Sequence, residues 1–579
     1  MDLSTSTLHL NSPLDDTTNP KTTGDSLELK ATSTPGQFII DNASSKTLTC
    51  QSSVDPEPAE PELQNEYPSG LRLLIFIASL TFSIFLIALD MTILATAIPA
   101  ITDEFHGLHD VAWYSSIFMM TAGGFQSTWG KIYKYFPLRI AYLCAIIIFE
   151  VGSLICGVAP SSTVFIIGRA IAGLGSAGVG CGSYTIVTLI AAPKQRAVYT
   201  GLLGAVFGIG SVLGPLLGGV FASTTTWRWC FYINLPVGAL PVATIIFLFR
   251  TPPSASATPS ISFKEKLLQM DPLGTTHLMA SIITYLLALS YGGNRYPWSS
   301  SMVIGLLAGS AALITTFAVV EYHQGERAIL IPRLLLRRDI GLPALYSLAQ
   351  AGSFFVMIYY LPIYFQAIRG RSAILAGVQN LPFILGAMAA AFGAGVLISK
   401  TGLSTPVLVA GAAVATLGCG LCYTFTHTSP PARWIIYQVI AGLGLGGALQ
   451  VPVIIAQVSV PAADLPSATA AMLCFQTLAG AIWVAAAESV FLNRLLIALA
   501  EHAEGVDPVK VIATGAGRLR DGGFKEEELV GILEAYLDGI RGTFLLSCAV
   551  VGGACLLGAL VPWRRLDLRI VKERGGAAA

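Results

Sequence analysis

From Leu71 onward the chain alternates between apolar runs of about twenty residues and short polar connections, the length at which an α-helix crosses a bilayer core. The runs predict helices over Leu71–Ile98, Val111–Trp129, Ile140–Val158, Val164–Leu189, Val198–Phe221, Trp229–Phe249 and Gly274–Tyr291. Seven more follow at Met302–Val320, Leu342–Tyr364, Leu375–Ile398, Val407–Phe425, Trp434–Val458, Ala468–Phe491 and Phe544–Val561. The seventh run is the weakest, because His277 and several Thr and Ser interrupt it. Between the last two lies a polar stretch, Asn493–Thr543, in which Leu529, Ile532, Leu533, Tyr536 and Leu537 recur at helical spacing. This predicts a long extracytosolic loop with an amphipathic element. Met1–Gly70 has no apolar run. It is rich in Ser, Thr and Pro, with eleven Asp and Glu against Lys21, Lys30 and Lys46, and reads as a disordered acidic tail rather than a cleavable signal peptide.

Lys and Arg are distributed unevenly over the connections, which sets an orientation. Those after the second, fourth, sixth and eighth runs carry Lys131, Lys134 and Arg139; Lys194 and Arg196; Arg250, Lys264 and Lys266; and Arg327, Arg333, Arg337 and Arg338. The alternate connections are poorer, the pair Arg369 and Arg371 being the least tidy exception. Both termini are therefore expected in the cytosol, as an even number of spans requires. The sequon at Asn42 is then on the wrong side for glycosylation.

Composition agrees with a membrane body. Of 579 residues 54% are apolar and 12% charged, about half the charged share of an ordinary soluble domain. Lys+Arg and Asp+Glu stand at 34 each, which argues against a nucleic-acid-binding protein. The 10 Cys are scattered through apolar runs; Cys419 and Cys422 form a C-x-x-C with no partner pair, so neither a metal nor a disulfide framework is expected.

An internal repeat organises the runs. Ile167-Gly-Arg-Ala-Ile-Ala-Gly-Leu-Gly-Ser-Ala-Gly178 in the fourth run matches Ile436-Tyr-Gln-Val-Ile-Ala-Gly-Leu-Gly-Leu-Gly-Gly447 in the twelfth, offset by 269 positions (436 minus 167). That alignment predicts an all-α fold of two parallel six-helix halves with two inserted helices, the plan of an alternating-access transporter. The expected parts are a tail (1–70), a first half (71–250), a linker with the inserted pair (251–338), a second half (339–563, including the loop 493–543) and a basic tail (564–579).

Charge inside the runs is rare. Asp90 stands in Leu89-Asp-Met-Thr-Ile-Leu-Ala-Thr-Ala-Ile-Pro99, where a carboxylate costs about 2.5–3.5 kcal/mol at mid-membrane and is a candidate for binding and releasing protons. Arg169 needs a partner wherever it is buried. Glu150 and Glu488 are further candidate proton sites, the former more in keeping with a structural role. Gln126, Gln350, Asn380, Gln438 and Gln450 are candidate cavity residues, each also suited to an interhelical hydrogen bond. The fifth run holds Gly210-Ser-Val-Leu-Gly214-Pro215-Leu-Leu-Gly218-Gly219, whose glycines at every fourth position share one face and permit close helix approach. Trp227-Arg-Trp-Cys-Phe-Tyr-Ile-Asn-Leu-Pro236 enters the sixth run with aromatics suited to an interfacial belt.

These strings together resemble the major facilitator superfamily, in its 14-spanner drug:proton antiporter group. Within it the chain is most similar to fungal pumps that export toxins and other secondary metabolites. The resemblance implies that the fifth-run string is the antiporter motif of exporters, and that Arg169 is the family's intramembrane Arg. On that basis Asp90 and Arg169 are expected to approach one another in the first half, with proton binding to Asp90 freeing the Arg. The repeat counterpart of Arg169 is neutral Gln438, so the coupling charge belongs to one half. The connection after the second run departs from the general pattern. Gly130-Lys-Ile-Tyr-Lys134-Tyr-Phe-Pro-Leu-Arg139 lacks its Asp and second Gly, which puts a latch built on that Asp in doubt.

No phosphate-binding G-x-x-x-x-G-K-[ST] and no hydrolase or zinc-protease motif occurs, so neither ATP, a cofactor nor a metal is expected, and the chain does not read as an enzyme. The reading is a proton-coupled exporter of a small amphipathic organic compound, monomeric, in the plasma membrane. A 14-span siderophore-type importer, a non-transporting membrane sensor, and a vacuolar or vesicle location are the alternatives.

Overall fold

The computed structural model describes residues 70–105, 111–249, 262–293 and 295–566. The tail up to residue 69, with Asn42, and the basic residues Arg569, Lys572 and Arg574 lie outside the described residues.

Fourteen long helices follow one another among the described residues. They are α1 (Gly70–Phe105), α2 (Val111–Tyr135), α3 (Leu138–Val158), α4 (Ser162–Ile190), α5 (Pro193–Thr224), α6 (Trp229–Phe247) and α7 (Pro272–Tyr291). Then come α8 (Ser301–Gln324), α9 (Arg338–Ala367), α10 (Leu381–Thr401), α11 (Thr405–Tyr423), α12 (Pro431–Ser459), α13 (Leu465–His502) and α14 (Glu526–Leu560). Thirteen are long and apolar enough to cross a membrane. The exception is α2, whose Ser, Thr, Gly and Gln positions suit a helix packed between α4 and α13 rather than one facing lipid. The helix starts are local: Ser161, Asp271 and Ser300 accept from backbone N–H groups of α4, α7 and α8, and proline occupies the first turn of α5, α7, α11 and α12.

The weak seventh run forms a full helix because Asp271, at φ 44°, caps it through Gly274 N at 2.7 Å. The loop expected over 493–543 is shorter. Helix α13 continues to His502 and α14 begins at Glu526, so the amphipathic run is the first half of the last helix. Its apolar stripe is why: Ile532, Leu533, Tyr536 and Leu537 are buried in the second-half core.

In the first half α1 lies along α5, and α4 packs against α3 and α2; in the second α12 packs against α10 and α11, and α14 against α9 and α11. The repeat seen in the sequence packs alike in both. A Cβ on Gly152 of α3 would stand 2.3 Å from Ala172 N, and one on Gly418 of α11 would stand 2.3 Å from Ala441 N, Ala441 being 269 positions after Ala172 (441 minus 172). The halves meet through the end of α2 on the start of α13, and the start of α5 on the end of α10. A Cβ on Gly130 would be 2.4 Å from Ala470 Cβ, and one on Gly395 would be 2.4 Å from Ala197 O. Chain direction puts these contacts on the face that carries the start of α1 and the end of α14. On the outer surface Ile147, Val151, Leu154 and Val158 of α3 and Ile304 and Val319 of α8 are exposed, an apolar perimeter that fits lipid.

Candidate proton-coupling site

Helix α1 offers α5 one face and α4 and α6 another, and Asp90 belongs to the second. Asp90 and Arg169 are both fully buried, and Arg169 Nη1 donates to Asp90 Oδ2 at 2.5 Å. The second carboxylate oxygen accepts from Asn234 Nδ2 of α6 at 3.1 Å, and that amide also donates to Ser153 Oγ of α3 at 3.1 Å. Arg169 is held from the other side as well. Its Nε donates to Tyr114 O at 3.1 Å, its guanidinium stands 4.4 Å from the Phe118 ring centre, and Nη2 has no partner among the described residues. A buried charge survives only when paired and hydrogen-bonded, and five helices of the first half, α1, α2, α3, α4 and α6, converge to build this site. Asn234 stood in the string entering the sixth run without an assigned role; Ser153 and Tyr114 carried no signal in the sequence.

The other face of α1 is fitted to the glycine string of α5. A Cβ on Gly210 would lie 2.6 Å from Ala88 Cβ, one on Gly214 2.0 Å from Thr92 Oγ1, and one on Gly218 2.3 Å from Ile93 O. Gly219 is different: the nearest atom would be Thr96 Cβ at 4.0 Å. Thr92 and Thr96 of α1 reach back to donate to Gly210 O at 3.4 Å and Pro215 O at 3.0 Å. Pro215 has no N–H to give its own helix, so the α1 hydroxyls bind the backbone on either side of that break. The helix carrying the buried charge is thus seated against the helix carrying the glycines and the proline.

The aromatic entry to α6 does not form an interfacial belt. Trp227 and Phe231 are buried in a core with Phe165 and Tyr114, and Trp227 Nε1 donates to Glu104 Oε2 at 2.7 Å. Arg228 stacks on Trp227, pairs with Glu104 at 2.7 Å and donates to Gly157 O and Ala159 O, both at 2.9 Å. Only Trp229 of this string faces outward as a large ring. The polar edges of the buried rings find partners inside the bundle, which removes the reason to sit at the interface.

Comparison with known proteins places this architecture. The family model described as Major Facilitator Superfamily matches residues 80–484. The chain belongs to the major facilitator superfamily. It is 46% identical over 522 residues to "MFS-type transporter grgE" of Penicillium sp, covering 90% of this chain and 91% of that protein. It is 39% identical over 503 residues to "Rubrofusarin-specific efflux pump aurT" of Gibberella zeae, covering 87% and 92%. Among solved structures the proton:xylose symporter XylE shares the fold, with a TM-score of 0.54 at 14% identity over 85% of this chain and 99% of that one. The chain is therefore a multi-pass membrane protein with the major facilitator fold.

Of the remaining candidates in this superfamily member, Glu150 lies within electrostatic reach of Asp90, Glu488 lies apart, and the amides serve mainly as links. Both carboxyl oxygens of Glu150 are buried without a partner among the described residues, and a Cβ on Gly238 of α6 would stand 1.8 Å from Oε1. Glu150 is one turn before Ser153 on α3. Glu488 lies on an exposed face of α13, in the other half. Gln126, Gln350 and Gln438 donate to Ala177 O, to Gly444 O and Leu445 O, and to Gln379 O at 3.0–3.2 Å. They tie neighbouring helices or turns. Asn380 and Gln450 differ in position: both are buried where two helical segments join, and each, like Gln350 and Gln438, has a side-chain oxygen with no partner among the described residues. A Cβ on Gly204 of α5 would lie 2.5 Å from Gln450 Cγ, so Gln450 spans the gap between the halves.

The superfamily's missing loop Asp is answered by other residues. Lys134 at the end of α2 pairs at 3.1 Å with Asp464, just before α13. Asp464 also receives Arg333 at 2.9 Å, and Arg333 pairs with Glu326 at 2.6 Å. The ion pairs thus join the two halves and the segment after α8 on the face where the halves meet.

Proposed function

We propose that the chain exports a small amphipathic organic compound, a fungal secondary metabolite, in exchange for protons. The observation that carries this reading is the Asp90–Arg169 pair, the charge couple buried in the first half and matched in the second by neutral Gln438. A proton on Asp90 removes the charge that holds Arg169 and turns one acceptor oxygen into a donor. Arg169 keeps Tyr114 O and the Phe118 ring, while Nη2 and Nη1 become free to attract another group. That changes how α1 is held against α4 and α6, and α1 transmits the change to α5 through the glycine contacts. A proton entering down 100 mV supplies about 2.3 kcal/mol, enough to bias such a two-state exchange.

The names of the relatives support export of secondary metabolites, and the antiporter string of α5 supports export over uptake. Asn380 and Gln450, at the two helix interruptions of the second half, are the side chains proposed to face substrate. We assign the protein to the plasma membrane as a monomer with both termini cytosolic, without ATP and without enzymatic activity. The test is transport in everted plasma-membrane vesicles carrying the protein, with rubrofusarin as probe. Acidification of the lumen is expected to drive accumulation that a protonophore abolishes. Proton-independent accumulation, or uptake of a labelled ferric siderophore by intact cells, would overturn the reading.

A further inference from the structure

Helix α8 is almost entirely surface: its buried side chains are Val303, Phe317 and Glu321. A carboxyl buried on a lipid-facing helix needs an explanation, and its surroundings give one. Glu321 Oε2 accepts from Leu330 N at 2.7 Å. On Asp271, Oδ1 accepts from Gly274 N at 2.7 Å and from Gln324 Nε2 at 2.6 Å. The other two oxygens, Glu321 Oε1 and Asp271 Oδ2, border one small space: they lie 2.3 and 2.2 Å from the place a Gly274 Cβ would occupy, and Asp271 Oδ2 accepts from Ile329 N at 3.4 Å. Glu321 Oε1 has no donor among the described residues, and Glu321 and Asp271 are 4% and 1% exposed. Two carboxylates that close in a buried space repel one another, and a proton on one of them relieves the repulsion. Lys131 of α2, itself 0% exposed, is within electrostatic reach of both. With one proton the trio is neutral; without it a net negative charge is buried.

We propose that Asp271 and Glu321 form a proton-binding carboxyl pair, balanced by Lys131, that fastens the inserted α7–α8 pair to α2. It lies on the face where the halves meet, apart from Asp90, and stands whether or not the export reading holds. A recess of about 630 Å³ lined by Asp271, His323, Gln324, Glu326 and Arg327 gives the proton a path to and from water. The proton adds to one carboxylate oxygen and is hydrogen-bonded by the other; on release it passes to water in the recess and the two carboxylates repel. The charged and titratable groups around the pair are few. Lys131 faces it from α2, with Lys134 within electrostatic reach of Lys131, and Cys474 faces it from α13; Glu326 and Arg333 pair with each other, as do Glu265 and Arg327, and His323 lines the recess. Among the described residues the neighbouring cations are engaged elsewhere: Arg327 with Glu265, Arg333 with Glu326 and Asp464, and Lys134 with Asp464.

Infrared spectroscopy of the full-length protein in detergent, from pH 6 to pH 9, tests this directly. The wild type is expected to show a protonated-carboxyl carbonyl band that fades on alkalinisation and is missing in both Glu321→Gln and Asp271→Asn. Lys131→Met is expected to retain the band to higher pH, since proton loss there leaves two negative charges without the cation that offsets one of them. Thermal unfolding gives a second readout: raising the pH over the same range lowers the wild-type midpoint and leaves that of Glu321→Gln flatter. Superimposable wild-type and Glu321→Gln spectra across the range, or parallel pH profiles of unfolding, would overturn the proposal. If Glu321→Gln fails to fold, Asp271→Asn carries the same comparison, because Asn can still cap α7.

Discussion

At the scale of single residues, the first half rests on one compensated charge. Asp90 and Arg169 are visible in the sequence because ionisable side chains are costly in apolar runs. Their partners are not, because Asn234 and Ser153 are ordinary polar residues that acquire meaning only when α6 and α3 bring them to the carboxylate. The same holds for Glu321 and Asp271, which stand at helix ends where charge is unremarkable in a linear reading. Removing Arg169 leaves Asp90 buried with Asn234 as its donor. Arg169→Ala is expected to cost about 3–5 kcal/mol, read as a large loss of folded protein in the membrane and a lower unfolding midpoint. Asn234→Ala removes a hydrogen bond to a charged group and is expected to cost about 1.5–3 kcal/mol. Its transport should persist, with a shifted dependence on pH.

At the scale of helices, the fourteen apolar runs each fall on one of the fourteen long helices, and the glycine period in α5 announces a close neighbour without saying which. The structure names α1, and the contact distances separate the glycines. Gly214→Ala would drive a methyl group against Thr92 Oγ1 and Ile93 N, at 2.0 and 2.9 Å, and is expected to lower the unfolding midpoint and abolish transport. Gly219→Ala meets its nearest atom at 4.0 Å and is expected to leave both nearly unchanged. Equal effects of the two would contradict the proposed seating of α1 on α5. The last two helices were harder to read, because α14 changes along its length from an amphipathic pattern to an apolar one. A window tuned to bilayer thickness splits such a helix into a loop and a span.

At the scale of the molecule, the repeat made two parallel halves legible, since equal strings 269 positions apart imply equal packing, as Ala172 and Ala441 display. The ion pairs that close the seam were not legible, because Lys134 and Asp464 are 330 positions apart and neither lies in a repeated string. Asp464 receives both Lys134 and Arg333. Asp464→Asn is therefore expected to loosen this face, read as a longer distance between spin labels placed at the exposed positions Lys194 and Lys400, at the ends of α5 and α10. An unchanged distance distribution would assign the closure to the Gly130 and Gly395 contacts alone. The central claim, that a proton on Asp90 drives the cycle, is tested most directly by gradient-driven transport in everted vesicles. With the lumen acidified, the wild type is expected to accumulate rubrofusarin, whereas Asp90→Asn should exchange it across the membrane without accumulating it. Accumulation by Asp90→Asn equal to that of the wild type, under the same gradient, would contradict the account.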